Sequence, residues 1–534
     1  MGLSSLALHR VLEGLRTDTQ KSHRCRTKHA GLCGKYKEMF GTALSSVPSG
    51  WTYGILVPAI LLALAFEFVN GFHDTANAVA TVIYTNTLRA RTAVVWSGFW
   101  NWIGVLASSG MVAYGIVALL PVELVLNIGS GPGFAMVFSL LLSAILWNLG
   151  TWFFGLPASS SHTLIGAILG VGLANSLMGP LHSVDSGVNW AKAEEVAVGL
   201  LVSPLLGFAA AALLLWVSRQ LLKQPALYRA PEGRRAPPWW IRTLLVTTCT
   251  GVSFAHGSND GQKGMGLIVL ILVGLLPGSY AINVTAQPHV VHEVCTASAK
   301  LTAAIDLQII DITVHADDAT AHLHQLVSPG GQPKPHTMSA IRSTSHRIAV
   351  ALRGMDSLDS IPRHARASLR SDLYLLSLAL AKLEHKDMLP RGFTAIQAVA
   401  LRKHIEQLTN YIPAWVKLAV ALALGLGTMI GYRRIVVTVG ERIGKEHLSY
   451  AQGGAAELVA MATILLADHY GLPVSTTHVL SSGIAGTMAA NHSGLQVRTL
   501  RNILLAWALT LPVCIFLGAL LFAFGTNMLA LLHL

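Results

Sequence analysis

A chain of 534 residues that is 52% apolar and only 12% charged, with a mean hydropathy of +0.54, lacks the roughly 25% charged share of a water-soluble globular protein. Its net charge of +12 lies in loops between apolar runs, where Lys and Arg orient a membrane chain, so the basic balance does not indicate nucleic-acid binding. The five cysteines (Cys25, Cys33, Cys249, Cys295, Cys514) have no metal-ligand spacing, and neither a disulfide framework nor a zinc site is indicated.

Residues 1–50 read as a basic tail. The first 38 carry eight Lys or Arg without the apolar core of a signal peptide, and Met39, a candidate native start, leads straight into an apolar run. Beyond it, no Asp, Glu, Lys or Arg occurs in 92–122, 124–184, 196–218, 264–292, 469–497 or 502–534. A bilayer core needs about 20 helical residues per crossing. With the stretches near 51–88, 242–262, 411–432 and 450–468, this predicts an all-α polytopic membrane protein of about ten to twelve spans. Helices are expected rather than a barrel because the runs are continuously apolar.

The expected organisation is a first transmembrane repeat over 51–218, a basic loop over 219–242 and the start of a second repeat over 243–284. A polar helical insertion follows over 285–410, and the remainder of the second repeat occupies 411–534. In the loop, Arg219, Lys223, Arg229, Arg234, Arg235 and Arg242 face one acid, Glu232, which marks it as cytoplasmic. The insertion carries "HLH" at 322–324, read as a solvated surface pair rather than a metal site.

The duplication is explicit. "GLPASSSHTLIGAILG" from Gly155 returns as "GLPVSTTHVLSSGIAG" from Gly471, and "NGFHDTANAVAT" from Asn70 is answered by "FAHGSNDGQKGMG" from Phe254. Asp74 precedes Pro157 by 83 positions and Asp260 precedes Pro473 by 213; the excess matches the insertion. Two copies of one unit, each with an apolar run broken at its middle, suggest a secondary transporter with inverted repeats around a midplane site. A carboxylate at such depth costs roughly 3 kcal/mol and needs compensation, so Asp74 and Asp260 are candidate functional groups, with Glu67 two turns before Asp74.

Pro157 and Pro473 suit helix starts, and Ser159, Ser160, Ser161, Ser475, Thr476 and Thr477 set hydroxyls beside unpaired helix-end amides, a ready oxyanion site. Phosphate near neutrality still carries a proton to donate and sulfate does not, so acceptor carboxylates beside these donors favour phosphate. His162 and His478 follow the Ser clusters, but without a nucleophile elbow or a third partner they indicate buried hydrogen bonding rather than hydrolase chemistry, and no enzyme activity is expected.

The motifs "GFHDTANAVATVIYT", "AHGSNDGQKG", "LPASSSHT" and "LPVSTTHVLSS" resemble the signatures of the inorganic phosphate transporter (PiT) family, most closely its bacterial low-affinity Pit branch. The resemblance runs from about residue 55 to the C-terminus and is weak through 285–410. It implies a dimeric inner-membrane phosphate symporter working by alternating access, proton-coupled, for which phosphate can travel as a neutral metal–phosphate complex.

Transferred to this chain, it implies substrate contacts at Asp74, Asn77, Asn259, Asp260 and Lys263 beside the Ser/Thr clusters, and coupling at His73, Asp74, Asp260, Glu67 and Glu457. Asp468 reads as a boundary residue. Two positions depart from the family pattern: His73 and Lys263 replace Asn. A Lys beside the anion supplies the charge that sodium would supply, and His is the side chain whose protonation changes near neutrality, so proton rather than sodium coupling is expected. A sulfate or arsenate permease and a sodium-coupled phosphate symporter are the alternatives. No cofactor or resident metal is expected.

Overall fold

The computed structural model describes residues 50–120, 130–178, 188–231, 233, 235–308, 316–328 and 330–531. The basic tail, with Cys25, Cys33 and Met39, and the loop positions Glu232 and Arg234 lie outside the described residues. Nineteen α-helices are described, and two compact units group them.

The larger unit holds α1 (Gly50–Asp74), α2 (Ala76–Tyr84), α3 (Ala90–Ala107), α4 (Met111–Val117), α5 (Gly131–Phe153), α6 (Ser160–Met178), α7 (Trp190–Leu221) and α8 (Trp239–Leu275). The smaller, polar unit holds α9 (Pro277–Tyr280), α10 (Pro288–Asp306), α11 (Ala316–Val327), α12 (Thr337–Leu352), α13 (Arg363–His385) and α14 (Ala395–Thr409). The chain then returns to the larger unit as α15 (Ala414–Thr428), α16 (Arg433–Glu441), α17 (Tyr450–His469), α18 (Thr476–Ala490) and α19 (Val497–Leu531).

Among the described residues, six helical stretches are long and apolar enough to cross a membrane: 53–84 (α1 with α2), α5, α6, α7, α17 and α19. This is fewer than the ten to twelve expected from charge-free runs. α15 and α18 have 15 residues each, and the middle of α8 carries the polar sequence "SFAHGSNDGQKG". Large apolar side chains such as Leu201, Leu205 and Leu213 on α7, and Leu505, Phe516 and Phe524 on α19, are exposed, as expected of a lipid-facing wall.

The halves exchange partners. α1 packs on α15 while α8, its counterpart, packs on α3; α6 packs on α19 while α18 packs on α7. Other main pairings recur in the same way: α1 with α5 and α8 with α17, α5 with α19 and α17 with α7, and on the self-pairing positions α1 with α8 and α3 with α15. Swapping the two copies preserves these pairings, which is what a two-fold relation between them produces. The close crossings use matched glycines: a Cβ on Gly71 would stand 2.3 Å from Leu424 O, and one on Gly257 2.1 Å from Asn101 O. Gly155 and Gly471, with φ of +66° and +67°, turn the chain in the left-handed conformation that glycine adopts at least cost.

The two Asp motifs differ locally. In the first, a one-residue interruption at Thr75 separates α1, ending at Asp74, from α2, beginning at Ala76. Thr75 keeps helical dihedrals and its N–H still donates to Gly71 O at 3.1 Å, while its hydroxyl lies 2.6 Å from Gly71 O and 2.9 Å from Thr428 O. In the second, Gly261 stands at the matching place without a side chain, and α8 runs unbroken through Asp260 for 37 residues. The run in the first copy is thus interrupted at one residue within a single stretch over 53–84, and the run in the second is continuous, so the mid-run break expected in each copy is not a sharp one in either.

In the polar unit, Leu369, Leu373, Leu376, Leu380 and Leu383 bury one face of α13, the spacing of an amphipathic helix. Inside it Arg347 and Asp372 form a buried pair, the guanidinium Nε 3.0 Å from Asp372 Oδ2. Of the "HLH" stretch, the His322 ring stacks on His336 at 5.5 Å.

Candidate anion site at the meeting of the two copies

The Pro-Ser-His motifs start α6 and α18 three residues after their prolines. Ser159 and Ser475 are the N-caps: their hydroxyls accept from His162 N at 3.2 Å and His478 N at 3.1 Å, which satisfies one orphan amide of each helix. The next residues turn inward. Ser161 Oγ donates to Val474 O of the opposite motif at 2.7 Å, so the two helix starts touch.

Asp74 joins the copies. Its Oδ1 accepts from Thr477 Oγ1 at 2.6 Å and from Asn77 Nδ2 at 3.4 Å, and it lies 3.4 Å from His73 Nδ1. Asn77 Nδ2 also donates to Thr477 Oγ1 at 2.9 Å and reaches Thr476 Oγ1 at 3.5 Å. Ser160 Oγ lies 3.1 Å from Asp74 Oδ2 and 3.3 Å from Asp260 Oδ2. One hydroxyl proton thus stands between two carboxylate oxygens and serves one at a time. Lys263, fully buried, places Nζ 2.8 Å from Asp260 Oδ2 and 3.1 Å from Ser160 Oγ.

The residue missing from the sequence reading is His256. Its Nε2 lies 3.7 Å from Asp74 Oδ2 and 3.5 Å from Asp260 Oδ2, and its Nδ1 is 2.9 Å from Asn101 Oδ1, while Asn101 Nδ2 donates to Thr428 Oγ1 at 3.0 Å. The available signal was its spacing: four residues before Asp260 on a helix is the same face. Asp74, His256 and Asp260 are the one group among the described residues whose ligand atoms, all within 4.8 Å of one another, could hold a metal ion.

The other expected residues fall at varying distance from this cluster. His73 Nε2 is 3.1 Å from Thr151 Oγ1, and Asn259 Nδ2 donates to Leu472 O at 3.3 Å. Glu67, buried, accepts from Gly264 N at 2.6 Å and ties α1 to α8 one residue beyond Lys263. Glu457 accepts from Thr248, which stands 12 residues, or about 18 Å of helix, before Asp260; the structure does not bring it into the cluster. Asp468, expected at a boundary, stands in the last turn of α17 and there accepts from Ser258 Oγ at 2.6 Å and from Gln262 Nε2, both on α8. The rings of His162 and His478 lie 4.5 Å apart, with Trp507 stacked on His478 at 3.9 Å.

Several buried polar atoms here have no hydrogen-bond partner among the described residues: Asn77 Oδ1, Asn259 Oδ1, Asp260 Oδ1 and His256 Nε2. Buried polar groups are almost always paired, and four orphans around two carboxylates and an ammonium mark a place built to receive a polar ligand. The amides of Ser160, Ser161, Thr476 and Thr477 also make no hydrogen bond among the described residues, so the arrangement offers donors and acceptors together.

A family model described as the phosphate transporter family matches residues 70–518. The low-affinity inorganic phosphate transporter PitB of Escherichia coli (strain K12) is 42% identical over 481 residues, covering 87% of this chain and 95% of the relative. PitA of the same strain is 40% identical over 479 residues with the same coverage. A probable low-affinity inorganic phosphate transporter of Bacillus subtilis (strain 168) is 28% identical over 461 residues, covering 86% and 94%. A solved structure titled "The sodium-dependent phosphate transporter" aligns with a TM-score of 0.46 at 19% identity, over 88% of this chain and 98% of that one.

Proposed function

The chain belongs to the phosphate transporter family, and from that premise we propose that it carries inorganic phosphate with low affinity across the inner membrane by proton-coupled symport. The observation that carries this reading is the doubled cluster in which Ser160 Oγ stands between Asp74 and Asp260, with Lys263 as its one ammonium. Phosphate oxygens would take the Lys263, Asn77 and Ser/Thr donors and the helix-end amides. Its remaining hydroxyl protons would go to Asp74 and Asp260, whose second hydrogen the single Ser160 proton cannot supply.

Charge favours a proton as the companion. Two carboxylates against one ammonium leave the cluster one negative charge when both imidazoles are neutral. A second unit negative charge at 4 Å is repelled by about 4 kcal/mol at an effective dielectric of 20. A proton arriving with the anion, on His73, on His256 or on one of the aspartates, removes that repulsion. Lys263 already holds a positive charge 2.8 Å from Asp260 Oδ2, the charge that a sodium ion would otherwise bring.

A divalent ion at this place would be attracted by Asp74 and Asp260 and repelled by Lys263; carried as a neutral phosphate complex, its charge would already be covered by phosphate oxygens. Glu67, which accepts from Gly264 N beside Lys263, would hand a proton on from the cluster, and Glu457 would do so only through a relay along α8. The two copies, crossing in opposite senses, would expose the site alternately, in a chain that pairs as a dimer.

Competition tests the anion. Excess unlabelled sulfate should leave radiolabelled phosphate uptake by cells or proteoliposomes nearly unchanged, and arsenate, which shares the protonation, should suppress it. Equal suppression by sulfate would instead identify a general oxyanion permease.

A further inference from the structure

Immediately before each Gly-Leu-Pro turn, the last turn of a long helix is fastened to the Asp-motif helix of its own copy, and the two fastenings occupy matching positions. In the first copy, Trp152 at the end of α5 meets Phe72 edge-on at 5.2 Å and donates its Nε1 to Gly431 O at 2.8 Å. In the second, Asp468 at the end of α17 accepts from Ser258 and Gln262 of α8, and Gln262 Oε1 accepts from Val112 N at 2.9 Å. Phe72 and Ser258 each stand two residues before the site aspartate. Trp152 and Asp468 each stand three before the turn glycine. Gly431, just before α16, and Val112, in the first turn of α4, likewise belong to corresponding segments. One junction is aromatic and the other polar.

Asp468 is poorly placed for helix stability alone. A carboxylate in the last turn faces the negative end of the helix dipole, which disfavours it. What offsets it is the pair of donors from α8, on the helix face opposite the one that presents Asp260, since two residues are 200° around a helix. The same tip is held once more by Asn259 Nδ2 on Leu472 O.

The geometry points to Asp468 as a positioning residue. With Ser258 and Gln262 it forms a releasable polar latch that holds the tip between α17 and α18, and so the helix start at Ser475–Thr477, against the back of the Asp260 segment. Trp152 on Phe72 is the corresponding aromatic latch for the other tip. Phosphate leaves or enters past a tip only after its latch opens, so the two sides of the transport cycle are gated by different chemistry. This rests on the transporter reading above.

The test uses the full chain with its five cysteines replaced by serine, carrying Ser258→Cys with Asp468→Cys, or Gln262→Cys with Asp468→Cys as the second pair, reconstituted in proteoliposomes. Reduced protein should take up radiolabelled phosphate. Oxidation to the disulfide should lower uptake at least tenfold, and dithiothreitol should restore it. Full uptake after complete cross-linking would overturn the latch, because the contact would then be static. Loss of uptake in both reduced variants despite normal insertion would overturn it too, because the contact would be needed intact throughout. Absence of uptake by the unsubstituted chain would instead count against the transporter reading itself.

Discussion

At the scale of single residues, the account rests on a few buried groups that share too few protons. Asp74→Asn keeps the shape of the side chain but removes a charged acceptor from Thr477 and Ser160. A hydrogen bond to a charged group contributes about 1.5–3 kcal/mol, so phosphate uptake at subsaturating concentration should fall roughly 10- to 150-fold, with membrane insertion unchanged on a blot of the purified membranes; near-normal uptake would remove Asp74 from the centre of the mechanism. Lys263→Asn restores in the second copy the residue type of Asn77 in the first. It leaves Asp260 without its ammonium, so uptake should weaken and become stimulated by sodium over choline. Indifference to sodium would separate Lys263 from ion choice. Asp74, Asp260 and the hydroxyl clusters were legible in the sequence because duplication repeats them. His256 was not, since its counterpart Asn70 is of another type and only the fold shows it between both aspartates.

At the scale of elements, contacts between backbones decide more than apolar pattern does. Gly71 and Gly257 hold equivalent crossings, and a Cβ on either would stand well inside contact distance of a carbonyl oxygen. Gly257→Val should push α3 from α8, costing about 1–3 kcal/mol or more and displacing Asn101 from His256. Its melting temperature in detergent should drop about as far as that of Gly71→Val, and an unchanged melt would contradict the crossing. In the polar unit, Asp372→Ala strands a buried guanidinium at a cost of about 3–5 kcal/mol. Asp359→Ala removes a partner of Arg366 that is 77% exposed and should cost under about 1 kcal/mol. Limited proteolysis of the two variants should separate them clearly, with rapid cleavage of the first only. That both Asp motifs would run through their centres as helix was not legible, because Gly and polar residues in mid-run read as a break, while the helical backbone bond Thr75 N to Gly71 O at 3.1 Å survives in the fold.

At the scale of the whole larger unit, the repeats exchange neighbours, so that each Asp-motif helix and each Pro-Ser-His helix packs on a helix of the other copy. That exchange could not be read from order along the chain, although the duplication that produces it could. It also explains why the site is built from residues as distant in sequence as Asp74 and Thr477, 403 positions apart, and why Asp468, a boundary residue by position, is bound to the middle of α8. As proposed above, this shared cluster moves phosphate together with a proton. Radiolabelled phosphate uptake by purified protein in sodium-free proteoliposomes tests it most directly: an imposed pH gradient, acidic outside, should drive accumulation that collapses when a protonophore dissipates it, whereas uptake that appears only when sodium is supplied would contradict the account.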